Sequence, residues 1–225
     1  MKYTLVVLFV FLLSVLSAPI PERPEGYLYK PSPNKTVELE VYEDLLCSDC
    51  KAFDPPFKAF LKNYTIDGKP VTDFVEVKLH IFPLPYHHNA FFAARLPPYV
   101  YNVTHCGGAV HSVSSWVLKN QDLWLSAAQN LTEFEVLDSM CTEFSNEYGK
   151  YNFTKGDCLS AMGNRGYELD ARTSWKYAAY NGVNGTPTVV VNGIAVDQDF
   201  DTVDDWVKFL EPFLKGKKII QLASE

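Results

Sequence analysis

The stretch "YEDLLCSDCKAF", Tyr42 to Phe53, decides the fold. Cys47 and Cys50 are separated by two residues, a spacing that fits a working redox pair, half of a metal site or a structural disulfide. The flanks narrow the choice. Upstream, in "TVELEVYED", Val37, Leu39 and Val41 alternate with Glu38 and Glu40, the period-two pattern of a strand. Downstream, in "KAFDPPFKAFLKNY", Phe53, Phe57, Phe60, Leu61 and Tyr64 recur at helical spacing. Pro55 and Pro56 fall inside that pattern and predict a kink or a restart of the helix. The cysteine pair therefore sits where a strand ends and a helix begins.

Further outward, "GKP" breaks the chain and "VEVKLHIFPL" reads as a second strand. It places Val75, Val77, Leu79 and Ile81 on one face and His80 on the other. From 86 to 181 the apolar residues follow helical spacing, and no segment sustains strand alternation. "GTPTVVVNGIAVD" returns to strand character, with Asn192-Gly193 as a two-residue hairpin turn, and "NGTPT" from Asn184 reads as buried. "DTVDDWVKFLEPFL" closes as an amphipathic helix with Asp201 at its N-cap. This order predicts an α/β fold, a thioredoxin-like sheet with an inserted helical block. Residues 36–85 and 182–215 form the core, 86–181 the helical insertion, and 18–35 an extended, proline-rich lead-in.

The first residues, "MKYTLVVLFVFLLSVLSAP", have the layout of a secretory signal peptide: a lysine, an apolar run, then small residues. The run is shorter than the roughly 20 residues of a spanning helix, so cleavage after Ser17 (signal peptide 1–17) is expected rather than a membrane span. Asn-x-Ser/Thr sequons occur at Asn34, Asn63, Asn102, Asn130 and Asn152, more than composition leads one to expect, and mark glycosylation candidates. A sixth, at Asn184, falls in the stretch read as buried. The ending "IIQLASE" is not a retrieval signal of the KDEL type, so a secreted or lysosome-like lumenal protein is expected.

The five cysteines then meet an oxidising compartment, where disulfides persist. A second metal-ligand pair at zinc-finger spacing is missing, which disfavours metal, and no cofactor is implied. The formal net charge of -7 carries no footprint for nucleic acid. A thiolate at a helix start is stabilised by unpaired N–H groups and the macrodipole. Cys47 is therefore the attacking sulfur, expected to be exposed, and Cys50, one turn on, is the buried resolving sulfur. A cis Thr186-Pro187 bond before the hairpin would offer backbone to an extended substrate peptide. His87 and His88 open a helix in "PYHHNA", where packing and hydrogen bonding are their expected roles.

These marks together, "CSDC", "FPLPYHHNAFFAA" and "GVNGTPTVVVNG", resemble the DsbA-like branch of the thioredoxin superfamily, in a secretory, eukaryote-type form. "YEDLLCSDC" is also similar to the start of the gamma-interferon-inducible lysosomal thiol reductases, a cousin family. The resemblance implies thiol–disulfide oxidoreductase activity. It assigns catalysis to Cys47 and Cys50 and substrate binding to Thr186 and Pro187. Partners would be disulfide- or thiol-containing proteins or peptides and a redox partner. Two departures stand out. Ser48 and Asp49 occupy the positions where the bacterial oxidases usually carry a histidine, and they become the redox-tuning residues. Val41 stands where many relatives have a buried acid, with Glu40, Glu43 and Asp44 nearby. An anion at Asp49 opposes a second anion at Cys47, so a poise leaning towards the reductases is expected.

A structural Cys47–Cys50 bridge would close too small a loop to stabilise much. Cys141 and Cys158 flank a polar loop and make the natural structural pair, with Cys106 left free or exchanged into it. The alternative function is a redox-inactive peptide-binding protein of the same fold.

Overall fold

The computed structural model describes residues 23–125, 128, 130–214 and 216–222. The signal peptide expected at 1–17 lies outside the described residues. In chain order the elements are β1 (Tyr27–Leu28), β2 (Val37–Glu43), α1 (Ser48–Asn63), β3 (Tyr64–Ile66), β4 (Lys69–Pro70) and β5 (Val75–Ile81). Helices follow: α2 (Ala90–Ala93), α3 (Leu96–Thr104), α4 (Gly107–Asn120), α5 (Glu133–Tyr148), α6 (Lys155–Met162) and α7 (Arg165–Tyr180). Then come β6 (Thr188–Val191), β7 (Ile194–Val196), α8 (Val203–Leu210) and β8 (Ile219–Gln221). Among the described residues no helix is long and apolar enough to cross a membrane.

The main sheet has the order β1-β5-β2-β6-β7. β2 pairs in parallel with β5, Val37 opposite Val75 and Glu43 opposite Ile81. On its other side β2 pairs antiparallel with β6, Tyr42 opposite Thr188. Strands on either side of the helical block thus flank the strand that leads to the cysteines. Asn192 (φ 50°) and Gly193 (φ 82°) turn β6 into β7 in the left-handed geometry that a two-residue hairpin demands.

One face of the sheet is covered by α1 and α8. Val37, Leu39 and Val41 pack there with Phe53, Phe57, Phe60 and Trp206. At about 25 cal/mol per Å² of apolar surface removed from water, these large rings dominate that layer's stability. They also explain why α1 runs unbroken through Pro55 and Pro56. Each proline removes one backbone hydrogen bond, and the buried aromatic face on both sides of the pair outweighs that loss. The other face is roofed by α7. The His80 ring is stacked between Tyr42 and Tyr177, at centroid distances of 4.4 and 5.3 Å. His80 does point away from the α1 face, and it is still buried.

Several local expectations are corrected. The lead-in holds an edge strand, β1, pinned by the buried ring of Tyr27. The N-cap of α8 is Thr202, not Asp201, in a capping box with Asp205. Thr202 wins because its hydroxyl accepts from the N–H three residues on while Asp205 reaches back. Asn184 is exposed rather than buried, as are Asn34, Asn63, Asn102, Asn130 and Asn152, because the loop before β6 runs over the surface. The expected pair, by contrast, is present: Cys141 and Cys158 form a disulfide that ties α5 to α6.

Candidate active site

Parallel β2 ends at Glu43, and the chain turns through Asp44, Leu45 and Leu46 into α1. Asp44 fixes this turn from inside. Its carboxylate accepts the N–H of Leu46 at 2.9 Å and of Leu84 at 3.0 Å, and meets His87 Nδ1 at 2.6 Å. Gln121, buried in the turn after α4, donates to the carbonyl oxygens of Cys47 (3.0 Å) and Leu45 (3.3 Å). The insertion thereby anchors the loop that carries the cysteines. His87 serves that scaffold, and His88 is exposed.

Cys47 is the N-cap residue of α1, in extended geometry, and makes no side-chain cap. Its sulfur lies 3.4 Å from the carbonyl oxygen of Thr186, and the Thr186-Pro187 bond is cis. The two sequence marks, 139 residues apart, meet at one point. Cys47 is not an open thiol, however: it is 4% exposed against 0% for Cys50, because the Thr186-Pro187 loop covers it. What separates the two sulfurs is electrostatic. Cys47 is pulled down to about 6, first by the hydrogen bond from the Cys50 thiol and then by the N–H groups of Cys50 and Asp49, against the cost of burial. Burial, the Cys47 sulfur and Glu43 hold Cys50 well above the ordinary thiol value.

Glu43 is the residue that pattern reading left unassigned. Of the three acids near Val41, Glu40 faces the α7 side and pairs with His80 at 2.8 Å. Asp44 is consumed by its turn. Glu43 continues the inward row Val37, Leu39, Val41 and lies buried beneath α1. Burial first, then the nearby Asp54, push its carboxyl far above the usual range, with Cys47 adding to the effect. Behind it the polar groups continue. Lys58 Nζ stands 3.9 Å from Asp54, which accepts from Ser115 Oγ at 2.8 Å. His111 is held neutral by burial, its Nε2–H donating to the Tyr27 carbonyl at 2.8 Å. The period-two count already put Glu43 on the covered face; an acid in that row was the signal.

Ser48 and Asp49 are exposed at the start of α1, the Ser48 hydroxyl 3.4 Å from the Asp49 carboxylate. Asp49 acts on Cys47 through its N–H. Cys106 is free and exposed as the N-cap of α4, away from this cluster.

A dithiol at the start of a helix on a thioredoxin-like sheet, with a cis-proline loop against the first sulfur, defines the class. The thioredoxin family model matches residues 32–211, and the chain belongs to the thioredoxin family. Its fold is the DsbA-like form. It is similar to the crystal structure of Wolbachia pipientis alpha-DsbA1, at 15% identity and TM-score 0.64 over 88% of this chain and 94% of that one. It is similar also to a protein-disulfide isomerase from Novosphingobium aromaticivorans (14%, TM-score 0.62, covering 83% and 96%). Chlamydia trachomatis DsbA is a third such structure (15%, TM-score 0.59, covering 89% and 99%). No curated protein matches the sequence.

Proposed function

We propose that the protein is a thiol–disulfide oxidoreductase acting on protein or peptide disulfides, with a poise leaning towards reduction. The observation that carries this reading is the asymmetry of the pair: Cys47 pulled down to about 6 and Cys50 held well above an ordinary thiol. One sulfur is a thiolate at neutral pH while the other keeps its proton until needed, the division of labour that disulfide exchange requires. The structures of similar fold bear names of disulfide isomerase and DsbA, which agrees.

The Cys47 thiolate attacks one sulfur of a substrate disulfide. A mixed disulfide forms, and the other substrate sulfur leaves as a thiolate and takes a proton. Cys50 then loses its proton, attacks the Cys47 sulfur and releases the second substrate thiol. Two electrons pass from the dithiol to the substrate, and a dithiol donor must restore the pair. In the mixed disulfide the Cys47 charge that helps to hold the Glu43 carboxyl up is gone, and the Glu43 carboxylate this favours is placed to receive the Cys50 proton. Backbone at Thr186, beside Cys47, would pair with the extended substrate. The poise follows from the thiolate: about 6 is nearer the value of about 7 for thioredoxin than the about 3.5 of DsbA.

The test is reduction of insulin with dithiothreitol as donor, comparing wild type with Cys47→Ser. Turnover in the wild type alone supports the reading. No turnover in either leaves a peptide-binding protein.

A further inference from the structure

On the α8 side of the Cys47–Thr186 contact lies a groove of about 360 Å³. Its apolar lining includes Phe53, Pro187 and Phe200, and its charge comes from Asp49, Asp199 and Asp201. No lysine or arginine lines it. The three carboxylates are exposed, and among the described residues none forms an ion pair. The opposite flank of the site differs. There Asp122 is neutralised by Lys51 at 2.7 Å. The uncompensated charge is therefore one-sided. Thr186 and Pro187 line the groove, and the Thr186 carbonyl oxygen lies 3.4 Å from the Cys47 sulfur, so the groove opens directly beside the reacting atom.

From this we infer that the groove selects cationic substrates: peptides with lysine or arginine about two to four residues to one side of the reacting cysteine. This rests on the oxidoreductase reading and extends it. Among the described residues no three acidic, histidine or cysteine side chains converge closely enough to hold a metal ion. The carboxylates instead line a groove shared with Thr186, the residue whose carbonyl meets the Cys47 sulfur. An extended chain lying across Thr186 would run along it, its aliphatic lysine or arginine stem on Phe53, Pro187 and Phe200 and its charged end among the aspartates. A one-sign groove concentrates opposite charge and rejects like charge, so acidic segments are turned away before the exchange step.

The experiment uses two peptides with the same cysteine core, each a mixed disulfide with uncharged 2-mercaptoethanol, one flanked by lysines and one by glutamates. Reduced protein attacks the peptide sulfur, mercaptoethanol leaves as thiol, and Cys50 releases the peptide thiol. The expected result is a single-turnover rate at least about tenfold faster for the lysine peptide at low salt. That ratio falls towards one near about 1 M salt, where the Debye length is about 3 Å. Asp199→Asn with Asp201→Asn should bring it within about twofold of one, and Asp199→Lys alone should invert it. A wild-type ratio within about twofold of one, or a ratio unmoved by both variants, overturns the inference. Hydroxyethyl disulfide, small and uncharged, separates the two failures. If the wild type reduces it but treats the peptides alike, only the selectivity falls. If it reduces none of the three, the oxidoreductase reading falls and the selectivity with it.

Discussion

The sulfur of Cys47 rests 3.4 Å from the carbonyl oxygen of Thr186, so the first residue of the redox pair is held from both sides, by its helix and by the cis-proline loop. With Cys47 at about 6 and Cys50 far above it, the two thiols should react in sequence with alkylating agents. Iodoacetamide near neutral pH should label Cys47 first, with a rate that rises with pH through about 6 and then levels. Mass mapping of the first adduct checks this; a first adduct on Cys50 reverses the assignment of attacking and resolving sulfur.

Glu43 couples stability to activity with opposite signs. Its folded-state carboxyl titrates far above the ordinary 4.5, so in the resting dithiol, before any mixed disulfide forms, it stays protonated where the unfolded chain is ionised. The unfolded state then binds fewer protons, and the protein loses stability as pH rises from about 4.5. Glu43→Gln removes that penalty. The variant should be more stable at pH 7 by roughly 1–3 kcal/mol, with the gain vanishing below about pH 4. It should also resolve its mixed disulfides at least about tenfold more slowly, having lost the proton acceptor. Urea unfolding across pH and quench-flow of the resolving step read the two effects. A variant that gains no stability, or resolves at the wild-type rate, removes Glu43 from this role.

Much of this was legible from residues alone. Val37, Leu39 and Val41, then Val75 to Ile81, announce strands because a half-covered sheet enforces period two. Asn192-Gly193 announces its turn because few other pairs accept positive φ twice. What escaped was set by tertiary context. Tyr27–Leu28 is too short to show a period, and becomes a strand only because β5 offers an edge. The Pro55-Pro56 helix stays whole because of aromatic packing that local rules do not count. Of the acids, Glu43 lay on the covered row, but only α1 above it makes that position buried rather than merely inward.

Cys141–Cys158 closes a loop with a sequence separation of 17 between α5 and α6. In the chain-entropy account a loop of that size is worth about 3 kcal/mol. Replacing both cysteines by alanine should therefore lower stability by about 2–4 kcal/mol, or Tm by several degrees. Calorimetry checks it, and a loss below about 1 kcal/mol would mean that the helices hold together without the bond.

The last prediction concerns Asp49. Its N–H stabilises the Cys47 thiolate, while Coulomb's law sets a carboxylate on the same residue against a second anion in the same turn. The backbone contribution survives any substitution except proline, so a side-chain change isolates the repulsion. Two like charges about 4 Å apart cost about 1 kcal/mol in water and about 4 at an effective dielectric of 20. Because Asp49 is exposed, the lower figure applies. Asp49→His should then lower the Cys47 pKa by about half to one unit and stabilise the reduced form. For a two-electron couple, about 1.4 kcal/mol corresponds to 30 mV, so the potential should rise by roughly 15–30 mV. A glutathione equilibrium titration resolves such a shift. An unchanged or lower potential would show that backbone N–H groups alone set the poise, and that the departure from histidine at this position does not tune it.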